Sequence, residues 1–385
     1  MKILYHHRIA SKDGQYVHVE SIINEFKKQG HDVVIVAPGV AENSDFGSDG
    51  GWVSNLREKL PGWVSEFLEF SYAFYAFFKL CVAIIKYKPD VIYERYNLFL
   101  PAGIWAKKLF GLPFQLEVNS PLYDERLKYG GLSLSGLAKW TEYYTWRNAD
   151  RVLPVTHVLA KYIRDANVPD DKIKVIPNGV DVSVFTPQNH TNREDRFKDK
   201  IVVGFVGFCR EWHQLDKVIH LLSGMSQKNI HFLVVGDGPV IDELNSTARK
   251  LAFENSFSTT GLVPREEMPY WLDQIDIALQ PAVTPWASPL KLIEYMAKGL
   301  AIVATDSENI RELLEDGHNA LLFSEDSIEE MIKCIQVLIT NTELRTKIRD
   351  GAAKSVSENQ LTWQKNAQLI TEWFADAVKA RNKEV

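Results

Sequence analysis

Cysteine is scarce in this chain of 385 residues: Cys81, Cys209 and Cys334 stand far apart, with no Cys-x-x-Cys pair. That argues against a disulfide framework or a thiolate zinc site and suits a reducing cytosol. Basic charge is not in excess either. Lys and Arg number 44 against 50 Asp and Glu, a net charge of −6, so nothing points to nucleic acid as a partner. A membrane span needs roughly 18–20 apolar residues. The nearest, Phe70 to Ile85, is shorter and carries Lys79. It reads as a core helix, with an interfacial helix as the alternative because Trp52, Trp63, Phe67 and Phe70 lie close to Arg57 and Lys59. The apolar run of the N-terminus is too short for a signal peptide. The expected location is the cytoplasm, with peripheral contact at the inner face of the plasma membrane as its only membrane association. A full dinucleotide fingerprint is missing: Gly236-Asp237-Gly238-Pro239 has two glycines and Ile241 where a third would fall, which disfavours a dehydrogenase.

What is present is an α/β rhythm. The length exceeds one typical core, so two domains are expected. Lys2 to His6 reads as a strand, Val19, Ile22, Ile23 and Phe26 as one face of a helix, and Asp32 to Ala37 as a second strand. Ile201 onward repeats that order: a strand to Gly207, a loop, a helix through Leu215, Val218, Ile219 and Leu222, and a strand from His231. Between them, strands are expected at Asp90–Arg95, Phe114–Asn119, Arg151–Val155 and Lys174–Pro177. The polar stretch Gln188 to Lys200 has no hydrophobic period and is the expected linker. The expectation is therefore two doubly wound parallel-sheet domains, residues 1–187 and 188–362, with a last helix from about Trp363. Such sheets bind ligands at the carboxyl ends of their strands, so two of them facing each other would form a cleft.

Pro281 to Gly299 is the most informative stretch. Ser288 and Pro289 suit a helix start, Leu290, Ile293 and Ala297 form a stripe, and Gly299 suits a stop. A helix N-terminus beside Lys291 is an anion site. Glu294, one turn further in, can accept two hydrogen bonds at once, as a ribose diol offers. The run Ser-Pro-Leu-Lys-Leu-Ile-Glu-Tyr-Met-Ala-Lys-Gly resembles the donor-binding segment of retaining GT-B glycosyltransferases of family 4. Pro177-Asn178-Gly179-Val180-Asp181 resembles the signature that closes the first domain of that family, and the resemblance runs from Met1 to about Trp373.

The resemblance implies a GT-B fold: two Rossmann-like domains, the acceptor on the first, the donor on the second, and the C-terminal helix, 363–385, packing back on the first. Glu294 matches the second Glu of the family's Glu-x7-Glu motif, which holds the ribose, while Trp286 stands in place of the first. The donor-binding set it implies is Gly14, Gly207, Arg210, Gly236, Gly238, Leu262, Val263, Ser288, Pro289, Leu290, Lys291 and Glu294, with base recognition by the backbone of Leu262 and Val263. The phosphate role falls to Arg210 and Lys291, because Phe208 and His213 occupy the positions of the family's usual Arg and Lys. A Trp-His-Gly branch is similar to Trp212-His213, with Gln214 in place of its Gly. Asn119 stands where many relatives place a His, and with Arg210, Lys291 and Glu294 makes up the expected catalytic group. His18, Glu94 and Arg95 are the candidate acceptor contacts, with a packing role for His18 and a local surface ion pair for Glu94 and Arg95 as the bland readings.

The implied reaction is transfer of a sugar from a nucleotide sugar, UDP by family habit, to a hydroxyl of a glycan or lipid-linked acceptor, with retained configuration, in polysaccharide, glycolipid or other glycoconjugate synthesis. Neither cofactor nor metal is expected, since no Asp-x-Asp stands in a strand-end loop and the cations named above can hold the leaving diphosphate. A nucleotide-sugar 2-epimerase and a catalytically silent nucleotide-sugar-binding subunit are the two other readings open to the sequence.

Overall fold

Short apolar runs separated by helices become parallel strands buried on both faces. The computed structural model describes residues 1–9, 14–38, 60–187, 193–226 and 229–384. They form two units: Met1–Asn178 with Trp286–Ser288 and Trp363–Val385, and Gly179–Pro285 with Pro289–Thr362.

In the first unit, β1 (Lys2–His6), β2 (Asp32–Val36), β3 (Val91–Arg95), β4 (Phe114–Val118) and β5 (Arg151–Pro154) form a sheet in the order β2-β1-β3-β4-β5. Every pairing is parallel. Its helices are α1 (Gly14–Lys28), α2 (Gly62–Tyr87), α3 (Ala102–Phe110), α4 (Leu122–Tyr129), α5 (Ser135–Asn148) and α6 (His157–Asp165). The order turns between β1 and β3, so the loops after those strands diverge and leave room for a ligand. In the second unit, β6 (Ile201–Val206), β7 (Ile230–Val235), β8 (Phe257–Thr259), β9 (Ile277–Gln280), β10 (Ala301–Thr305) and β11 (Leu321–Phe323) follow the order β11-β10-β9-β6-β7-β8, again all parallel. The helices α7 (Leu215–Gly224), α8 (Ile241–Lys250), α9 (Met268–Leu272), α10 (Leu290–Ala297), α11 (Ile328–Thr340) and α12 (Thr342–Glu358) belong to this unit, and α13 (Trp363–Glu384) returns to the first. There Phe374 is buried edge-on to Tyr93, ring centroids 6.4 Å apart.

Four expectations change. The first unit ends at Asn178, ahead of residue 187. The polar stretch taken as a linker, of which residues 188–192 lie outside the described residues, is anchored in the second unit: Phe197 is fully buried and Arg193 forks onto Asp276 at 2.9 and 2.6 Å. Lys174–Pro177 is not a strand. Its amides at Lys174 and Ile176 donate to Val152 and Pro154 along β5, but Pro177 has no N–H with which to extend the ladder. Last, α2 is not a core helix: Phe74 and Phe78 are among the large apolar side chains it leaves more than half exposed. Trp52, Arg57, Lys59 and Asp13 lie outside the described residues.

Candidate active site

The second unit builds its site where β6 and β7 end side by side. Gly207 donates to the Val235 carbonyl at 2.9 Å and Cys209 to the Asp237 carbonyl at 2.7 Å, so the two outgoing loops run backbone against backbone. Such closeness needs glycine. A Cβ at Gly236 would stand 2.2 Å from the Gly207 oxygen, and one at Gly238 2.1 Å from the Cys209 oxygen; both residues hold left-handed φ, 139° and 156°. The segment after β8 closes the same corner, where the Gly236 amide donates to the Thr260 hydroxyl at 3.2 Å. Of the residues expected to read a base there, Leu262 is exposed and Val263 packs partly on the core.

The helix α10 meets this corner with its first turn. Lys291 donates from Nζ to the Val206 carbonyl at 2.9 Å and lies 4.4 Å above the Phe205 ring. Tyr295, one turn on, accepts the Val206 amide at 3.1 Å, so one helix grips both polar groups of the last β6 residue. The Nζ would lie 3.5 Å from a Cβ at Gly207. Among the described residues no carboxylate pairs with Lys291, and burial pushes its ammonium down to about 8, opposed by Cys209 and Glu294. The burial of an unmatched cation is costly unless an anion arrives.

Glu294 follows Lys291 by three residues and is 4% exposed. Its Oε1 accepts from Arg265, whose guanidinium lies 4.9 Å above the Phe185 ring. The sequence does not single out Arg265, because its partner lies 29 residues away and its one local signal is a lone Arg after Pro264.

The loop after Gly207 divides its roles. His213 is buried with its ring tilted against Phe205, centroids 4.8 Å apart, and its Nδ1 accepts the Arg210 amide at 3.0 Å. Burial, then the charges of Lys291 and Arg210, push it down to about 4. It is thus neutral near pH 7 and braces the loop, bringing no charge to phosphate. Arg210 is exposed, 4.5 Å over Phe208 and 5.6 Å over Trp212, with no carboxylate paired to it among the described residues. Gln214 adopts φ 50°, ψ 38°, a left-handed conformation that suits Gly, the residue of the branch it resembles.

Ser288 does not cap α10. Pro289 holds the N-cap position, while the Ser288 hydroxyl accepts the Asn178 amide at 3.1 Å and its carbonyl accepts from Asn178 Nδ2 at 2.6 Å. Leu290 is the first helical residue. Trp286 is buried in the core of the first unit, its carbonyl bound to the Thr156 hydroxyl at 2.9 Å and its ring 6.1 Å from Tyr162. It fills space in that core, away from solvent.

In the first unit, the expected residues gather around a carboxylate not singled out for a role, Glu117 at the end of β4. It is 3% exposed and is approached by Arg95 at 2.5 Å, Asn119 at 2.5 Å, Tyr93 at 3.0 Å and His18 at 3.3 Å. Burial would raise its pKa. The charges of His18 and Arg95, with hydrogen bonds from His18 and Asn119, win and hold it well below the usual carboxylate range. His18 also packs against Trp363, centroids 4.7 Å apart, and the two line a cavity of about 10 Å³ with Glu117. That is room for about one water. Glu94 and Arg95 are not a surface ion pair. Neighbours on one strand face opposite sides of the sheet, so Arg95 binds Glu117 while Glu94 binds His6 Nδ1 at 2.5 Å, both buried. Burial raises the Glu94 carboxyl despite His6. Gly14 is the first residue of α1, not part of a loop before it.

Comparison with known proteins follows the same two halves. Residues 12–184 match the family described as "Glycosyltransferase Family 4" and residues 188–355 the family "Glycosyl transferases group 1". An uncharacterized glycosyltransferase of Methanocaldococcus jannaschii is 26% identical over 60% of this chain and 59% of its own. The colanic acid biosynthesis glycosyltransferase WcaL of Salmonella typhimurium, itself a putative assignment, is 25% identical over 60% and 58%. The chain thus spans under two thirds of these two relatives. The alpha-monoglucosyldiacylglycerol synthase of Streptococcus pneumoniae is 20% identical over 94% of this chain and 82% of its own. Among solved structures, HepE of Anabaena in complex with UDP superposes with a TM-score of 0.73 at 17% identity, covering 98% of this chain and all of that one. Sucrose-phosphate synthase of Thermosynechococcus elongatus gives 0.76 at 14% identity, covering 99% and 100%. These likenesses show the fold, GT-B.

Proposed function

The chain belongs to the group 1, family 4 glycosyltransferases, and from that premise we propose that it moves a sugar from a nucleoside diphosphate sugar to a hydroxyl of a glycan or glycolipid. The observation that carries this reading is Lys291: a cation with no carboxylate partner among the described residues, pressed against a crossing of two glycine turns at the first turn of a helix. Amides and a helix dipole attract phosphate there, and the ammonium supplies the charge. Glu294, held by Arg265, offers its carboxylate to the ribose diol. UDP is the nucleotide favoured, as HepE is solved with it, and the likeness to the alpha-monoglucosyldiacylglycerol synthase makes a lipid acceptor the first to try.

The step fits retention. The bond from the anomeric carbon to the diphosphate breaks, the acceptor oxygen bonds to the same face, and its proton passes to a leaving phosphate oxygen. Lys291, Arg210 and the start of α10 stabilise the charge that builds on the leaving group, so turnover needs no metal.

The test is calorimetric titration of UDP and other nucleoside diphosphates, followed by product analysis with a diacylglycerol acceptor in the presence of EDTA. Micromolar binding of one nucleotide and a retained-configuration product support the reading. Failure of every nucleoside diphosphate to bind refutes it. A second reading, a silent nucleotide-sugar-binding subunit, is favoured by Trp286, an indole packed into the core where the resembling family has a sugar-reading Glu. Tight nucleotide binding with no turnover on any acceptor would select it.

A further inference from the structure

An amphipathic helix on a soluble protein buries its apolar stripe and shows charge to water. Helix α2 is built the other way round. Its buried stripe repeats at three and four residues and holds Glu66, Glu69, Ala73, Ala76, Leu80 and Ala83. Its opposite face shows Trp63 at 59%, Phe67 at 55%, Phe74 at 58%, Phe78 at 66% and Ile85 at 66% exposure. Trp140 of α5 extends the patch, 48% exposed and 6.5 Å from Phe70. Isolated exposed apolar side chains need no explanation, but a continuous row does.

The charges on this face have one sign. Both carboxylates of α2 are on the buried side, while Lys79 and Lys86 lie over Tyr75 and Tyr87, 5.2 and 4.7 Å from the ring centroids, and Lys108 lies 4.8 Å over Tyr144 beside Trp140. Aromatic rings below lysine heads, without a carboxylate on the helix's outer face, are complementary to an anionic surface with an apolar interior. The whole chain, by contrast, has a net charge of −6. Although α2 is 26 residues long and apolar enough to cross a bilayer, its buried flank forbids that. Glu66 accepts the Ser133 and Leu134 amides at 2.8 and 2.5 Å, and Glu69 accepts from Arg8 and Arg126 at 3.0 and 2.9 Å. A crossing helix would have to carry those carboxylates through hydrocarbon.

We propose that the outer face of α2, continued by Trp140, lies in the interface of an anionic lipid bilayer. The helix is about 39 Å long, against about 17 Å for a five-residue strand. Its first half is tied to Arg8, which follows β1, and to Arg126 of α4, which follows β4. The bilayer would therefore lie beside the carboxyl ends of the first sheet, where a lipid-borne acceptor could enter without leaving its membrane.

Flotation of the full chain with phosphatidylcholine vesicles, with and without phosphatidylglycerol, tests this. The wild type floats with the anionic vesicles and is released by salt. The double variant Phe74→Ser/Phe78→Ser loses partition on the order of tenfold or more, and Lys79→Glu shifts release to lower salt, with circular dichroism and nucleotide affinity unchanged. Partition is measured without nucleotide, so this result is independent of the donor site. A wild type that stays free of both vesicles, a double variant that floats equally well, or a wild-type dimer that the double variant turns into monomer would each overturn the proposal, the last by making a second copy the occupant.

Discussion

Lys291 should make nucleotide affinity depend on pH in a window where little else at the site titrates. With its ammonium pushed down to about 8, Lys291 is charged at pH 7 and mostly neutral at pH 9. If the diphosphate binds the charged form, affinity scales with the protonated fraction and falls about tenfold between pH 7 and pH 9. His213, down at about 4, and Cys209, up at about 11, contribute nothing in that range. Calorimetry in buffers of different ionisation enthalpy would also show proton uptake on binding near pH 8. Lys291→Met should lose about 1.5–3 kcal/mol, one charge-assisted hydrogen bond, and show a flat profile. Lys291→Arg keeps its charge throughout and should keep part of the affinity, also with a flat profile. Since Lys291 also binds the Val206 carbonyl, the melting temperature of each variant separates a loosened β6 from a lost ligand contact. A flat wild-type profile, or the same slope in Lys291→Met, refutes the assignment.

Three further outcomes follow from the geometry. Glu294→Ala should weaken nucleotide binding by about 1.5–3 kcal/mol per charged hydrogen bond lost, whereas wild-type affinity would leave Glu294 as a partner for Arg265 alone. Gln214→Gly should raise the melting point by relieving about 1 kcal/mol of left-handed strain, and a lower melting point would show that the side chain contributes more than the strain costs. Glu117 has a folded pKa below its unfolded one, so its stabilisation is complete above the unfolded carboxylate range and is lost as pH falls. Acid titration of Glu117→Gln should accordingly show a flatter loss of stability than wild type, and parallel curves would be evidence against the network.

The parts of this molecule legible in the sequence were those fixed locally. The strands β6 and β7 are buried along nearly their whole length and so read as apolar runs, interrupted in β7 only by His231. Gly207, Gly236 and Gly238 could be placed because glycine at the end of such a run signals a close approach. What depends on distant partners was invisible. Arg265 finds Glu294 29 residues away, and Glu117 collects Arg95 and His18 from other elements. Ser288 carried a cap signal but met Asn178 first. The polar segment around Arg193 looked like linker because one buried Phe197 and one fork onto Asp276 hardly change its composition. In α2, composition announced an apolar helix without saying which side the protein would cover.

Trp286, Ala287 and Ser288 complete the first unit although the chain on both sides of them belongs to the second. Residues 1–178 expressed as a fragment would lack the indole that fills their core and the hydroxyl that satisfies Asn178. Grafting the second unit of a relative onto this first one would replace that insert with the relative's own three residues. Exchange of the second half of this chain is therefore restricted by a tripeptide encoded more than a hundred residues downstream of the strands it supports.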